Sequence, residues 1–122
     1  MIKYYHIMSK DASDVRLKRN EEMDFLFQAI LTLENEAECR AFWEDLCTVR
    51  EQRDMVQRLQ VARLLRQGIK YSVISREIGV SSATISRVSR CLSGTRGGYA
   101  GILSRLEEND QEIGEDTNEY NP

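Results

Sequence analysis

Residues 71–90 read YSVISREIGVSSATISRVSR, and their pattern predicts two helices joined by a three-residue turn. Ile74 and Ile78 are four residues apart, so they share one face of the first helix. Gly79 can take the left-handed backbone conformation that ends a helix and begins a tight turn. Ser75 is small enough for the two helices to cross closely. The other core and cap positions are Val80, a capping Ser81 or Ser82, Ile85, Val88 and Leu92.

The outward face of the second helix combines short hydroxyl side chains with arginines. Short side chains near the start of a helix let its backbone approach base edges, and guanidinium groups bind phosphate or guanine. An apolar inward face opposite a polar, basic outward face is typical of a helix-turn-helix, which places one helix in the major groove of DNA. A helical hairpin that binds nothing is the alternative, and the fixed offsets of the apolar residues and the glycine favour DNA binding over it. The outward residues are Ser82, Thr84, Ser86, Arg87 and Arg90.

The charges are segregated along the chain, whose 122 residues carry a net charge of −3. Residues 1–39 hold 5 basic and 8 acidic side chains, residues 40–105 hold 12 and 5, and residues 106–122 hold 0 and 7. A basic middle segment is the pattern expected for attraction to phosphates. The acidic end is predicted to be a solvated, disordered tail, and competition with DNA for the basic face is the alternative.

Length and composition exclude several classes of protein. The length predicts one domain, for which pairing with a second copy would add buried surface. Cys39, Cys47 and Cys91 lack metal-site spacing, which indicates a reduced, cytoplasmic protein. No signal peptide or membrane-length apolar run is present. The only histidine is His6, and no catalytic carboxylate pair is recognisable, so neither an enzyme nor a cofactor is expected. Met8 offers an alternative start.

Capping signals divide the rest of the chain into further helices, so the predicted fold is all-α. Asn35 is followed by Glu38 and Thr48 by Glu51, both at the capping-box spacing. Gly68 ends the long helix that follows Thr48. The predicted helices are one over about 21–33 after Asn20, one after Asn35, one from Thr48 to about Gln67, the two within residues 71–92, and one over about 99–107 after the flexible SGTRGG.

The apolar faces of these helices are wide for so small a domain, which predicts a large buried dimer interface. A compact monomer core is the alternative. The predicted organisation is an irregular leader at residues 1–20, a DNA-binding and dimerisation domain at 21–107 and the acidic tail at 108–122. The faces comprise Met23, Leu26, Phe27, Ile30 and Leu31 in the first helix, Cys39, Phe42, Trp43, Leu46 and Cys47 in the second, and Val61, Leu64 and Leu65 in the third.

The segment from about Met23 to Glu108 resembles the tryptophan-repressor superfamily, in particular its YerC/YecD-like branch. The motifs that carry the resemblance are DLCTVREQ, QRLQVARLLRQG and GVSSATISRVSRCL. The resemblance implies a six-helix protein that forms an intertwined homodimer, with reading helices roughly 34 Å apart on a pseudo-palindromic DNA site. GVSSATISRV also resembles the reading head of the lactose-repressor family, but here about seventy residues precede it and no sugar-binding domain follows.

The resemblance implies DNA contacts from both helices of the 71–90 segment. Arg76 and Arg90 are expected to bind phosphates, and Ala83 could contact a thymine methyl group. Arg58, Arg63 and Arg66 on the long helix are expected to be a solvated face. The positions that the resemblance assigns to DNA are Tyr71, Ser72, Ser75, Ser82, Ala83, Thr84 and Ser86.

The resemblance also bears on tryptophan binding, because four positions correspond to the repressor's ligand pocket. Arg87 falls on a pocket arginine, whereas Gln57, with Arg58 adjacent, replaces a second one. Val88 replaces the glycine that leaves space for the indole, and Cys91 replaces a serine near the ligand's amino group. The added volume of Val88 lies where a flat ring would sit. We therefore expect no tryptophan binding, with an unidentified small effector as the alternative, and we favour a DNA-contacting or structural role for Arg87.

Together these features predict a transcriptional regulator, repressor-like and homodimeric, that binds double-stranded operator DNA through a helix-turn-helix. The alternative is a helical protein-interaction module, or adaptor, that has lost specific DNA binding.

Overall fold

The computed structural model describes residues 12–118, which form six α-helices and no strand. The chain divides into two compact units, Met1–Cys47 and Thr48–Pro122. No helix in the described range is long and apolar enough to cross a membrane. The helices are α1 (Ala12–Leu31) and α2 (Glu36–Leu46) in the first unit, and α3 (Val49–Arg66), α4 (Tyr71–Ile78), α5 (Ser82–Ser93) and α6 (Gly98–Asn118) in the second.

Local capping bonds begin α2 and α3 where the sequence predicts. At α3 the backbone N–H of Glu51 donates to Thr48 Oγ1 at 3.2 Å, and the N–H of Thr48 donates to Glu51 Oε1 at 3.1 Å. Hydrogen bonds to the Glu51 carboxylate from the Thr48 side chain, and then from the Thr48 backbone N–H, lower the pKa of that carboxyl. At α2 the side chain of Asn35 accepts from the N–H of Glu38 at 2.9 Å. Both predicted helix starts are confirmed.

The N-terminal end of α1 and the C-terminal end of α6 differ from the prediction. α1 begins at Ala12 rather than near 21, and α6 continues to Asn118 rather than ending near 107. Once a helix has nucleated, each further residue adds one backbone hydrogen bond, so a polar segment without proline can prolong it. Pro122 is the only proline. The predictions for residues 1–11 and 119–122, including His6 and Met8, fall outside the described range.

The apolar faces of α1 and α2 are only partly buried within the single chain. Leu26 and Ile30 are half-buried, but Leu31 is 84% exposed. Cys39 and Leu46 belong to the predicted apolar face of α2, but in the single chain both are exposed and α2 has no buried residue. Periodicity identifies an apolar face but not what covers it. The remaining members of these faces are Met23 and Phe27, both exposed, Phe42 and Trp43, both half-buried, and Cys47, which is buried.

The core of the second unit is built by α3, α4, α5 and α6. Its largest fully buried side chains are Val61, Ile74, Ile85 and Val88, each at most 1% exposed. Burial of such side chains is the main source of folding free energy. Every core position predicted within residues 71–90 is buried or packs against this cluster. The other members are Ala62, Val80 and Leu103, with Leu64, Leu65, Ile69, Ile78, Leu92 and Tyr99 packed against them.

An ion pair joins the end of α3 to α6. Arg66 donates from Nε and Nη2 to the two carboxylate oxygens of Glu107 at 3.1 and 3.0 Å, and from Nη2 to Ser104 Oγ at 3.1 Å. The hydrogen bonds from Arg66 lower the pKa of the Glu107 carboxyl. Arg66 is exposed, as predicted for a solvated face, but its guanidinium group is engaged by Glu107. Bidentate geometry also makes this pair more specific than an ordinary surface ion pair.

Replacing Gly79 with alanine should lower the free energy of unfolding by about 1–2 kcal/mol, since a side chain disfavours left-handed backbone. Gly79 has φ +75°, and apart from its two chain neighbours no residue has a heavy atom within 4 Å of where its Cβ would stand. The expected loss of unfolding free energy therefore comes from backbone strain alone. Urea denaturation measures the change.

Gly101→Ala provides a matched control, because Gly101 also has open space around its Cβ position but lies inside α6. It should stabilise the protein by about 0.5–1 kcal/mol, since alanine favours a helix interior. Equal effects at the two glycines would contradict the role assigned to Gly79.

Candidate nucleic-acid interface

The connection between α4 and α5 is held by its own hydrogen bonds. The N–H of Gly79 donates to the carbonyl oxygen of Ser75 at 2.9 Å, and Ser75 Oγ donates to the carbonyl oxygen of Val80 at 3.2 Å. Ser81 caps α5 by accepting from the N–H of Thr84 at 3.2 Å. Ser75 is partly buried and closes the turn. The start of α5 is thus presented in a defined orientation.

The face of α5 opposite the core is exposed and polar. Ile85 and Val88 are each 1% exposed, and Thr84 at one edge is half-buried. Arg87 and Arg90 take part in no ion pair within the described part of the chain. Their guanidinium groups are therefore free to bind an external anion. The exposed members of this face are Ser82, Ala83, Ser86, Arg87 and Arg90.

The start of α4 adjoins α5 through one short hydrogen bond. The hydroxyl of Tyr71 donates to Ser89 Oγ at 2.6 Å, although Tyr71 remains 46% exposed. Ser72 beside it is exposed. Further along α4, Arg76 lies 3.5 Å from the carboxylate of Glu77, and both side chains are largely exposed. Such surface pairs contribute little free energy, so Arg76 can exchange Glu77 for another anion.

Three of the four predicted pocket residues line one small groove. Arg87, Val88 and Cys91 share a hollow of about 250 Å³, and Arg58 lines it where Gln57 does not. Because Val88 is 1% exposed, most of its side chain fills the core. The full lining is Arg58, Ala83, Thr84, Arg87, Val88, Cys91 and Tyr99.

A larger open hollow of about 910 Å³ is also lined by Arg87, together with Arg90, Arg96 and the apolar Leu59 and Ile102. Three arginines therefore give this side of α5 and the adjoining segment a positive charge.

Sequence reasoning missed one residue of this surface, Ser89. Ser89 was not selected, although it continues the spacing of Ser82 and Ser86 along α5 and is half-buried beside Tyr71. That spacing could have identified it. Arg58 was expected to face solvent, and it is exposed while also lining the small groove. Its approach to Arg87 depends on how α3 packs on α5, which no local pattern encodes.

The chain shares extensive similarity with known proteins. The family model described as Trp repressor protein matches residues 21–107. Over 94 residues the chain is 47% identical to YerC of Bacillus subtilis, an uncharacterized protein, which covers 77% of this chain and 90% of YerC.

Solved structures share the fold. A candidate Trp repressor from Staphylococcus aureus matches with a TM-score of 0.68 and 50% identity, covering 71% of this chain and 87% of that one. A TrpR-like protein from Eubacterium eligens matches with a TM-score of 0.68 and 41% identity, covering 71% and 90% of the two chains. Both similarities show that this all-helical chain shares the fold of Trp repressor-like structures. The chain belongs to the Trp repressor protein family.

Proposed function

We propose that this protein is a sequence-specific transcriptional regulator, repressor-like and cytoplasmic, whose α4 and α5 form a DNA-binding helix-turn-helix. Membership of the Trp repressor family indicates a DNA-binding regulator. The observation that carries the finer proposal is that α5 has two different faces. Ile85 and Val88 are buried, whereas the opposite face exposes hydroxyls and two arginines that form no ion pair with the described side chains. An exposed helix face of this composition suits both base edges and phosphates.

The contacts have distinct chemical roles. Ser82 and Ser86 donate or accept hydrogen bonds at base edges, and Ala83 packs against a thymine methyl group. Arg87 and Arg90 bind phosphates. Ser75 is not among the proposed DNA contacts, because its hydroxyl already donates to the carbonyl oxygen of Val80 within the turn. The further proposed contacts are Thr84 in α5 and Tyr71, Ser72 and Arg76 in α4.

We infer that the active form is a homodimer. Phe25, Phe27 and Leu31 in α1 are 63%, 50% and 84% exposed, and Val49 and Val56 in α3 are 69% and 54% exposed. Soluble monomers rarely expose so many large apolar side chains. A second copy of the chain can cover them, and two-fold symmetry then predicts a pseudo-palindromic DNA site with half-sites roughly 34 Å apart.

Affinity for a selected operator fragment should fall about 10³-fold between 50 and 200 mM salt. The proposed contacts Arg76, Arg87 and Arg90, present in each of two subunits, would displace about six counterions from the phosphates. Fluorescence anisotropy on a fragment selected from a random pool measures this, with a scrambled duplex as the control. The operator should bind at least about 10³-fold more tightly than the scrambled duplex. Salt-insensitive binding, or no binding, would contradict the proposal.

Tryptophan is not expected to bind. The side chain of Val88 is packed into the core and borders the groove of about 250 Å³, so an indole would meet added side-chain volume there. Titration calorimetry should therefore show no binding heat, and operator affinity should be unchanged by tryptophan. A micromolar dissociation constant, about −8 kcal/mol, would overturn this expectation.

The exposed aromatic side chains of α1 also support a second candidate, a protein-interaction module that has lost DNA binding. Phe25 and Phe27 are 63% and 50% exposed, and aromatic residues are enriched at protein interfaces. Size-exclusion chromatography with light scattering separates the two functions when combined with the DNA titration. A dimer that binds an operator supports the regulator, whereas a monomer without DNA affinity supports the adaptor.

A further inference from the structure

The bond between Tyr71 and Ser89 determines which of the two hydroxyls can reach DNA. Tyr71 donates its single hydroxyl proton to Ser89 Oγ over 2.6 Å. A phosphate oxygen accepts hydrogen bonds and donates none. While this bond is formed, Tyr71 therefore has no proton for a phosphate, although more than two fifths of its surface, 46%, is exposed.

Ser89, in contrast to Tyr71, still has a hydroxyl proton to donate. Its oxygen accepts from Tyr71, so its own proton is available, and it donates to no other group within residues 20–110, whose side chains are described. A hydroxyl that accepts a short hydrogen bond also becomes a stronger donor. Ser89 is half-buried, so part of it reaches solvent.

The position of Ser89 on α5 fits a contact with the DNA backbone. Ser82, Ser86 and Ser89 are separated by four and three residues, so they share one edge of the helix. Ser82 and Ser86 are exposed members of the proposed interface. Ser89 extends that edge toward the start of α4, where Tyr71 and Ser72 lie.

We propose that Ser89 donates a hydrogen bond to a non-bridging phosphate oxygen of the DNA, and that Tyr71 is its positioning residue. This inference rests on the proposed DNA-binding function and changes the assignment of Tyr71 from a direct contact to an indirect one. Phosphate contacts fix the register of a protein on the duplex without reading bases. The pair therefore sets how α5 lies along the groove.

The test compares four variants of the full-length protein on the selected operator and on a scrambled duplex. Ser89→Ala should weaken both complexes by about 100-fold, since the homodimer loses one hydrogen bond to a charged group in each subunit. Tyr71→Phe should weaken them by a similar factor, and the double variant should lose no more than the larger single effect. Ser89→Thr retains the hydroxyl and should restore most of the affinity.

Ser93→Ala is the matched control. Ser93 lies on the same edge of α5, but its hydroxyl donates to the carbonyl oxygen of Ser89 at 2.9 Å, so its loss should change affinity less than twofold. Because Ser89 carries no charge, Ser89→Ala should leave the salt dependence of binding unchanged.

Operators with single methylphosphonate substitutions supply a readout that a purely structural role would not move. One neutralised phosphate should weaken wild-type binding more than it weakens binding of Ser89→Ala, while the other phosphates affect both proteins equally. Equal sensitivity at every phosphate would overturn the proposal. So would a Tyr71→Phe defect without a Ser89→Ala defect, which would make Tyr71 the direct donor. A wild-type protein that binds no duplex would overturn the proposed function itself.

Discussion

An Ile85→Ala variant is expected to lose about 2–5 kcal/mol of unfolding free energy, the usual cost of truncating a buried isoleucine. Ile85 is 1% exposed and lies in the cluster that joins α3, α4, α5 and α6. The truncation removes buried apolar surface and leaves a cavity that close-packed neighbours fill only in part. Since such a domain is stable by only about 5–15 kcal/mol, a large share of its stability would be lost.

Urea denaturation at fixed protomer concentration measures this change, because a dimer's stability depends on concentration. Ser86→Ala is the matched control, since Ser86 is the next residue of α5 but faces solvent. It should change the unfolding free energy by no more than about 0.5 kcal/mol. An Ile85→Ala loss below about 1 kcal/mol would show that α5 does not pack through this residue.

Replacing Arg87 and Arg90 together with alanine should weaken operator binding by the homodimer on the order of 10⁴-fold or more, because four phosphate contacts are lost. Each charged hydrogen bond to phosphate is worth about 1.5–3 kcal/mol, and each 1.4 kcal/mol is tenfold in affinity. Both side chains are exposed and without ion-pair partners within the described range, so helicity and dimerisation should be unchanged. The logarithmic salt slope should also become shallower by about four, because the dimer loses two phosphate contacts in each subunit.

The control for this variant is Arg50→Ala with Arg53→Ala, which removes the same charge from exposed positions of α3. If Arg87 and Arg90 contact phosphates directly, the control should lose far less affinity, because only long-range attraction is reduced. Equal losses in the two double variants would mean that net charge alone is responsible. Unchanged affinity in the first would remove both arginines from the interface.

The helix boundaries that depend on neighbouring residues could be predicted from the sequence. Asn35 and Thr48 cap the helices that they precede, and Gly79 ends α4 with φ +75°. Each of these signals acts over three or four residues, so the information is local. The outer ends of α1 and α6 were not predicted, because polar segments there continue the helix without an apolar face or a terminating residue.

The candidate site was predicted only in part. Features that depend on neighbouring residues were predicted, whereas contacts between residues far apart in the sequence were not. The division of α5 into a buried and an exposed face is a property of helical spacing, so Ile85 and Arg87 could be assigned to opposite faces. The bond from Tyr71 to Ser89 spans 18 residues, and no periodicity predicts it. It appears only when α4 and α5 pack together.

The sequence by itself determined the all-helical class, the turn at Gly79 and the face of α5 that carries the arginines, because caps, backbone preferences and helical periodicity act over a few residues. Only the tertiary structure decided that Arg66 binds Glu107 across 41 residues and that Tyr71 gives its proton to Ser89. Those contacts join groups that the chain brings together only by folding, so their geometry depends on the packing of whole helices.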